Sequence, residues 1–275
     1  MKTYRRVLTI AGSDSGGGAG IQADLKTFAA LECYGMSVIA ALTAQNTIGV
    51  SAIYDVPPSF VDDQLQAVLS DIGVDAVKIG MLQSEEVISV VADRLRQAQI
   101  KQIVLDPVMV AKSGHKLLKD SAIGALRTKL MPLATLVTPN IPEAEVLTGI
   151  KIDNRDDMMT AAEKILSIGT PAVLVKGGHL SGDSADDLLA ISSSYTPPAT
   201  KWFHHSRIAT SNTHGTGCTL SSAIAAHLAR GNDITTAVTA AIDYLTRAIT
   251  EGAAFKIGHG HGPVHHFAAK WHNTI

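Results

Sequence analysis

Short apolar runs alternate with helical patterns along almost the whole of this 275-residue chain, and that alternation constrains the fold more than any other feature. The runs are Val7-Leu8-Thr9-Ile10, Ser37-Val38-Ile39-Ala40-Ala41-Leu42, Ala76-Val77-Lys78-Ile79, Ile103-Val104-Leu105, Leu136-Val137 and Ala172-Val173-Leu174-Val175. They are continuous rather than alternating in polarity, as expected where both faces of a parallel strand are covered. From Pro58 to Ile72 the apolar residues Val61, Leu65, Val68, Leu69 and Ile72 recur at the helical period, and Ser84 to Gln97 and Met158 to Ile168 behave similarly. Thr216 to Ala229 and Ile234 to Glu251 read as two closing helices. The order predicts an α/β fold with a mainly parallel central sheet. Residues 186–208 read as an antiparallel excursion before the last helices. With no linker, repeat or shift in composition, residues 1–275 read as one domain.

Composition narrows the function. Hydrophobic residues make up 46% and charged residues 17%, which excludes a disordered chain. Aromatics are 4% and glycines number 23, so the core must be aliphatic with many tight turns. A net charge of −2 gives no electrostatic case for nucleic acid or an anionic membrane. The two cysteines, Cys33 and Cys218, suit a reducing compartment and have no zinc spacing. The apolar run after Arg6 stops at Ile10, too short for a signal peptide. The uncharged stretch from Cys33 to Tyr54 is interrupted by Thr43, Gln45, Asn46 and Thr47, which hydrocarbon would not tolerate cheaply. A soluble cytoplasmic protein is expected, with neither nucleic acid nor membrane as partner.

In parallel sheets ligands sit beyond the carboxyl ends of the strands, and the residues there are small, polar and acidic. The first run leads into Gly12-Ser13-Asp14-Ser15-Gly16-Gly17-Gly18-Ala19-Gly20. Gly18 to Ala23 fits G-x-G-x-x-A, but no acidic residue follows the second strand before Asp55, as a dinucleotide site would want. A P-loop fails because Leu25 stands where glycine must precede the lysine. A ligand-lining turn remains, alongside a plain strand-to-helix turn. Gly215-Thr216-Gly217 at the start of a helix offers unpaired N–H groups to an anion, phosphate above all, or is capped by Thr216. Cys218 then falls in the first turn, where a thiol's pKa is lowered, unless it is a buried packing residue. Asn140 and Glu143 share a face if Pro142 opens a helix; they suit Mg²⁺, with Asp106 nearby, or simply cap that helix. Lys176 before Gly177-Gly178 can neutralise a phosphate or sit solvated. His259, His261, His265 and His266 suggest a metal less than a flexible terminus spaced by Gly260 and Gly262.

These residues together resemble the ribokinase-like superfamily, and within its vitamin-kinase branch the hydroxymethylpyrimidine/phosphomethylpyrimidine kinase family. The resemblance runs from Ala11-Gly12-Ser13-Asp14 to Gly260-His261-Gly262-Pro263-Val264. It rests on Thr43-Ala44-Gln45-Asn46-Thr47, Lys78-Ile79-Gly80-Met81-Leu82, Asp106-Pro107-Val108-Met109, Asn140-x-x-Glu143, Lys176-Gly177-Gly178-His179 and Asn212 to Cys218. In the last of these, cysteine replaces the usual aspartate base, as is typical of the pyrimidine branch. The resemblance implies a three-layer α/β sandwich that transfers the ATP γ-phosphoryl group to 4-amino-5-hydroxymethyl-2-methylpyrimidine, then to its monophosphate. It implies that Gln45 reads the pyrimidine, with Gly12, Asp24, Met81 and Val108 lining the pocket. Asp106, Asn140 and Glu143 would hold Mg²⁺, Lys176 would meet ATP phosphates, and Gly215, Thr216, Gly217 and Cys218 would form the anion hole and proton acceptor. It also implies a homodimer, a lid at residues 111–114, and pyridoxal kinase as the alternative activity; a non-catalytic binder has no use for the anion hole.

Overall fold

The computed structural model describes residues 3–109, 120–178, 185–193 and 197–271. Its centre is β1 (Arg6–Asp14), which pairs in parallel with β2 (Tyr34–Gln45) on one side and β4 (Ala76–Ile79) on the other. Beyond β2 lies β3 (Val50–Asp55), antiparallel to it. Beyond β4 come β5 (Ile103–Leu105), β6 (Leu136–Val137) and β7 (Ala172–Val175), all parallel, then β8 (Asp187–Ile191) and β9 (Ala199–Phe203), antiparallel. The mainly parallel sheet and the antiparallel excursion are therefore both present.

Alternate strand residues feed two cores, since successive side chains point to opposite faces. Leu8, Ile10, Val77, Ile79, Ile103, Leu105 and Val137 pack with the apolar faces of α2 (Pro58–Ala67), α3 (Glu85–Gln97), α4 (Asp120–Ala125), α5 (Ile141–Thr148) and α6 (Arg155–Leu166). Val7, Ala76, Val104, Leu136 and Leu174 pack with α1 (Gly20–Ala30), α7 (Thr216–Ala229) and α8 (Ile234–Gly252). The layers are helix, sheet, helix. Helix starts follow local chemistry: Ser84, Asn154 and Asp233 each accept a backbone N–H at the starts of α3, α6 and α8.

Two differences from the sequence reading have physical causes. The predicted helix to Ile72 leaves α-geometry after Ala67; Val68–Ile72 winds as a π-turn that ends at Gly73, whose φ of 70° suits glycine. The C-terminal segment is packed, not free. A Cβ on Gly260 would overlap the Thr47 carbonyl, and one on Gly262 the Asn212 side chain. His261 N–H donates to the Thr47 carbonyl at 2.9 Å, and Asn212 Nδ2 donates to the carbonyls of Gly252 and Phe255. Those glycines serve close approach. Among the described residues no helix is long and apolar enough to cross a membrane. The chain leaves β1 toward β2 and then returns to β4 on the other side, so the carboxyl ends at β1 border the crevice where such sheets bind ligands.

Candidate active site

The loop after β1 is organised by a residue that sequence reasoning gave no role. Asp14 Oδ1 accepts from Gly16 N–H at 2.8 Å, and Oδ2 accepts from Gly18 and Ala19 N–H at 3.0 and 2.8 Å. Oδ2 also lies 2.8 Å from His214 Nε2, tying this loop to the one before α7. Burial pushes the Asp14 carboxyl up, but His214 and the amide donors outweigh it and hold the carboxyl below its ordinary value. The glycines allow the two loops to touch. Gly215 has φ 79°, and a Cβ there would overlap the Gly18 carbonyl; Gly20 has φ 55° and lies against the Gly12 carbonyl.

Gly215 is the N-cap of α7 and no side chain caps that helix. Among the described residues the first-turn N–H groups of Thr216, Gly217 and Cys218 therefore have neither intrahelical nor side-chain partners, which is the makeup of an anion site. The position a Gly217 Cβ would take is 3.4 Å from Lys176 Nζ and 3.5 Å from Asp106 Oδ2. Lys176, just past β7, donates to Asp106 Oδ1 at 3.0 Å; Thr138 and Ser221 hydroxyls also donate to this carboxylate. Burial is the largest influence and pushes Asp106 up, but Lys176, Lys78 and the hydrogen bonds from Lys176 and Thr138 together outweigh it and lower the carboxyl. Lys176 is raised: burial opposes its charge, but Asp106 and Glu143 favour it.

Asn140 and Glu143 form a reciprocal capping box at the start of α5. Asn140 Oδ1 accepts from Glu143 N–H at 2.9 Å, and Glu143 Oε2 accepts from Asn140 N–H at 2.8 Å. The capping alternative is thus realised, yet Glu143 is buried close enough to Asp106 and Lys176 to feel both charges. Burial pushes its carboxyl up to about 7; Lys176 opposes this and Asp106 adds to it.

Two expectations need correction. Asp24, expected on the pocket lining, is fully buried beneath it. Lys78 Nζ donates to both its oxygens at 2.9 Å, and the hydroxyls of Thr9 and Ser222 donate to it at 2.6 Å. A carboxylate that saturated has nothing left for a ligand. Cys218 has the opposite pKa shift to that expected of a helix N-terminus. Burial pushes the thiol up to about 11; Lys78 lowers it, but Asp24 and Asp106 add to the rise. Among the C-terminal histidines, His266 is buried against the Thr219 hydroxyl at 3.1 Å, and no group of three or more His, Cys, Asp or Glu side chains is placed to hold a metal ion among the described residues.

Gly12 abuts Met81: a Cβ on Gly12 would come within 2.7 Å of Met81 Cε. Gln45, half-buried at the end of β2, reaches His214 Nε2 at 3.4 Å and so joins the approach to α7. Val108 lies two residues past Asp106, after Pro107, and is partly exposed. The lid expectation at residues 111–114 and His179 fall outside the described residues. Asp14, His214 and Lys78 had no role in the sequence reading, yet their side chains tie the loops around this site together; the signal for Lys78 was a cation inside an otherwise apolar strand run.

The sequence profile of the family described as phosphomethylpyrimidine kinase matches residues 14–265. A hydroxymethylpyrimidine/phosphomethylpyrimidine kinase of Rhizobium meliloti is 53% identical over 266 residues, covering 96% of this chain and 97% of its own length. The thiamine biosynthesis bifunctional protein of Geobacter sulfurreducens is also 53% identical over 96% of this chain, which spans only 52% of that longer protein. Among solved structures, an ADP complex of pyridoxal kinase from Bacillus subtilis superposes with a TM-score of 0.88 at 37% identity, covering 98% of this chain and 99% of that one.

Proposed function

The chain belongs to the phosphomethylpyrimidine kinase family, and from that premise we propose that it phosphorylates a hydroxymethylpyrimidine and then its monophosphate, the activity of a thiamine-biosynthetic kinase. Its fold is that of the ribokinase-like kinases. One observation carries the reading. The uncapped start of α7 faces Lys176 and Asp106 on one side, while the residue preceding its cap, His214, meets Gln45 on the other. A phosphate held at Gly215, Thr216 and Gly217 therefore lies beside a group suited to hydrogen-bond an aminopyrimidine. Residues 1–275 act as one domain in this reading.

The phosphoryl donor is ATP, in keeping with the ADP bound by the pyridoxal kinase relative. Phosphoryl transfer needs positioning and charge neutralisation more than covalent chemistry. Lys176 and the α7 N–H groups supply positive potential for the transferring group. Gln45, with Gly12, Met81 and Val108, orients the ring so that its hydroxymethyl points at Cys218. Cys218 takes the hydroxyl proton in its ionised form, late, as the new P–O bond forms.

Mg²⁺ fits the oxygen groups at the ends of β5 and α5. Glu143 is a buried carboxyl forced toward neutrality beside Asp106, a situation that a divalent cation relieves. Asp106, Asn140 and Glu143 would hold the ion directly or through water, and it would supply positive charge to offset that of the phosphates. The free thiols of Cys33 and Cys218 suit the cytoplasm. Exposed Leu42, Ile53, Tyr54 and Phe60, on and beside the β2–β3 pair, suit a homodimer contact.

The test is mass spectrometry of products from purified protein, ATP and Mg²⁺. The substrate mass should rise by one and then two phosphoryl groups. Accumulation of the monophosphate alone, even with monophosphate as substrate, would remove the second step. Pyridoxal phosphorylation is the second reading, favoured by the close superposition on the pyridoxal kinase.

A further inference from the structure

Asp14, His214, Gln45 and Thr43 form a chain of contacts in which the protons can be assigned. Asp14 Oδ2 lies 2.8 Å from His214 Nε2. A carboxylate held ionised only accepts, so Nε2 carries the proton whatever the charge of the ring. The ring has little room to turn: a Cβ on Gly18 would overlap its Cδ2, and His214 N–H donates to the Gly262 carbonyl at 3.0 Å. The terminal amide of Gln45 lies 3.4 Å from the same Nε2, whose one proton is already given to Asp14; a protonated ring nitrogen has no lone pair to accept from an NH₂, so the amide oxygen fits against it better than the NH₂.

The other end of the chain makes the same demand. Thr43 Oγ1 is 2.8 Å from the Ser13 carbonyl and 3.0 Å from the Gln45 amide. A hydroxyl has one proton and a carbonyl has none to give. Thr43 therefore donates to Ser13 and accepts from Gln45. Both ends select the amide orientation with oxygen toward His214 and NH₂ toward Thr43. This is the half-turn alternative to oxygen facing Thr43, and only such networks tell the two apart.

We propose that the Asp14–His214 pair, together with Thr43, sets the orientation of the Gln45 amide and thereby the hydrogen-bond pattern the site accepts. In that orientation the free lone pair of Oε1 lies on the His214 side and the free N–H on the Thr43 side. The ligand that fits carries a donor beside an acceptor, in that order. A 4-aminopyrimidine has an exocyclic N–H next to a bare ring nitrogen; its 4-oxo analogue presents oxygen next to a ring N–H and mismatches at both atoms. His214 is a positioning residue that acts through Gln45. The inference rests on the reading that Gln45 faces the pyrimidine.

The experiment compares kcat/KM for the aminopyrimidine and its 4-oxo analogue in the wild type, His214→Leu and Gln45→Glu. The wild type should favour the amino compound by about a hundredfold. In His214→Leu that preference should shrink about tenfold, through KM, with kcat for the amino compound changing less. A merely structural loss would lower both substrates alike, and that outcome overturns the proposal. If Gln45→Glu leaves the preference untouched, Gln45 does not face the pyrimidine and that part of the function reading fails. If it changes the preference while His214→Leu does not, the orienting role alone is wrong. The ¹⁵N spectrum of the imidazole in the unliganded wild type is independent of any variant. It should show a proton on Nε2; a ring protonated only at Nδ1 overturns the proposal.

Discussion

The two sides of Gly215 are built on different physics. On the Gln45 side the partners are amides, hydroxyls, an imidazole and one carboxylate whose oxygens are filled by backbone donors. On the Asp106 side buried charges of both signs lie close together: Asp106 on Lys176, Asp24 on Lys78, and Glu143 beside the first pair. Hydrogen bonds are directional and fail when a ligand's donors and acceptors are swapped. Buried charge acts over several ångströms on whatever charge develops, with little regard for who carries it. Selectivity therefore belongs to the first side and rate to the second, and a perturbation of one should leave the signature of the other largely intact.

Cys218 gives the largest test of that division, because it sits among the charges. Its thiol is pushed up to about 11 by burial, so only a small fraction is ionised near neutrality. If the thiolate takes the hydroxyl proton, kcat should climb with a slope near one in log units between pH 7 and 9. Below the thiol's own pKa each unit of pH ionises about tenfold more of it. Cys218→Ala should lower kcat by about a hundredfold and flatten the profile, with KM for the pyrimidine changing little. A wild-type profile already level at pH 7 would mean that the thiolate is not the reacting form.

Much of the fold was legible because parallel strands buried on both faces leave continuous apolar runs, which is how β1, β4, β5 and β7 stand out. β3 was not legible: five of its six residues are exposed, so it has no core pattern to read. The site divides in the same way. Gly215, Thr216 and Gly217 announce an anion site through local helix chemistry. The rise of the Cys218 thiol comes from burial and from Asp24 and Asp106, side chains distant in sequence, and no local rule reaches them. Gly260 and Gly262 misled for the same reason, since their partners Thr47 and Asn212 lie far along the chain. Lys78 was visible as a charge inside an apolar run and Asp24 only as an expected pocket residue, and their mutual neutralisation was not visible at all.

The selectivity side predicts a smaller effect. Pyridoxal lacks the amino group beside a ring nitrogen, so it leaves the Gln45 amide with an unanswered partner, a loss of about 1–3 kcal/mol. The expected preference in kcat/KM for hydroxymethylpyrimidine over pyridoxal is at least about tenfold, measured at equal ATP and Mg²⁺. Equal or reversed efficiencies would favour the pyridoxal reading and would mean that the Gln45 side does not govern selectivity.

The smallest expected effect tests whether Glu143 is part of the charged side or only a helix cap. Its carboxyl titrates near 7 in the folded chain against about 4.5 when free, so the folded state holds that proton more tightly than the unfolded state. Stability from this group is fully present below the unfolded value and is lost as pH rises through about 7. At pH 8 and without Mg²⁺ the ionised, buried carboxylate is a liability beside Asp106, which Lys176 offsets only in part. Glu143→Gln keeps an oxygen to accept from Asn140 N–H and removes the charge. The variant should therefore melt at the same temperature as the wild type or a few degrees higher at pH 8, and the difference should vanish at pH 5. Adding Mg²⁺ should raise the wild-type melting temperature by a few degrees and leave the variant almost unmoved, while the variant needs severalfold more Mg²⁺ for activity. If Mg²⁺ stabilises both proteins equally, the ion is held without Glu143, and the capping box is the whole of its role. If the variant melts lower at pH 8, the hydrogen bond to Asn140 outweighs the burial of charge, and the charged side of the site ends at Asp106 and Lys176.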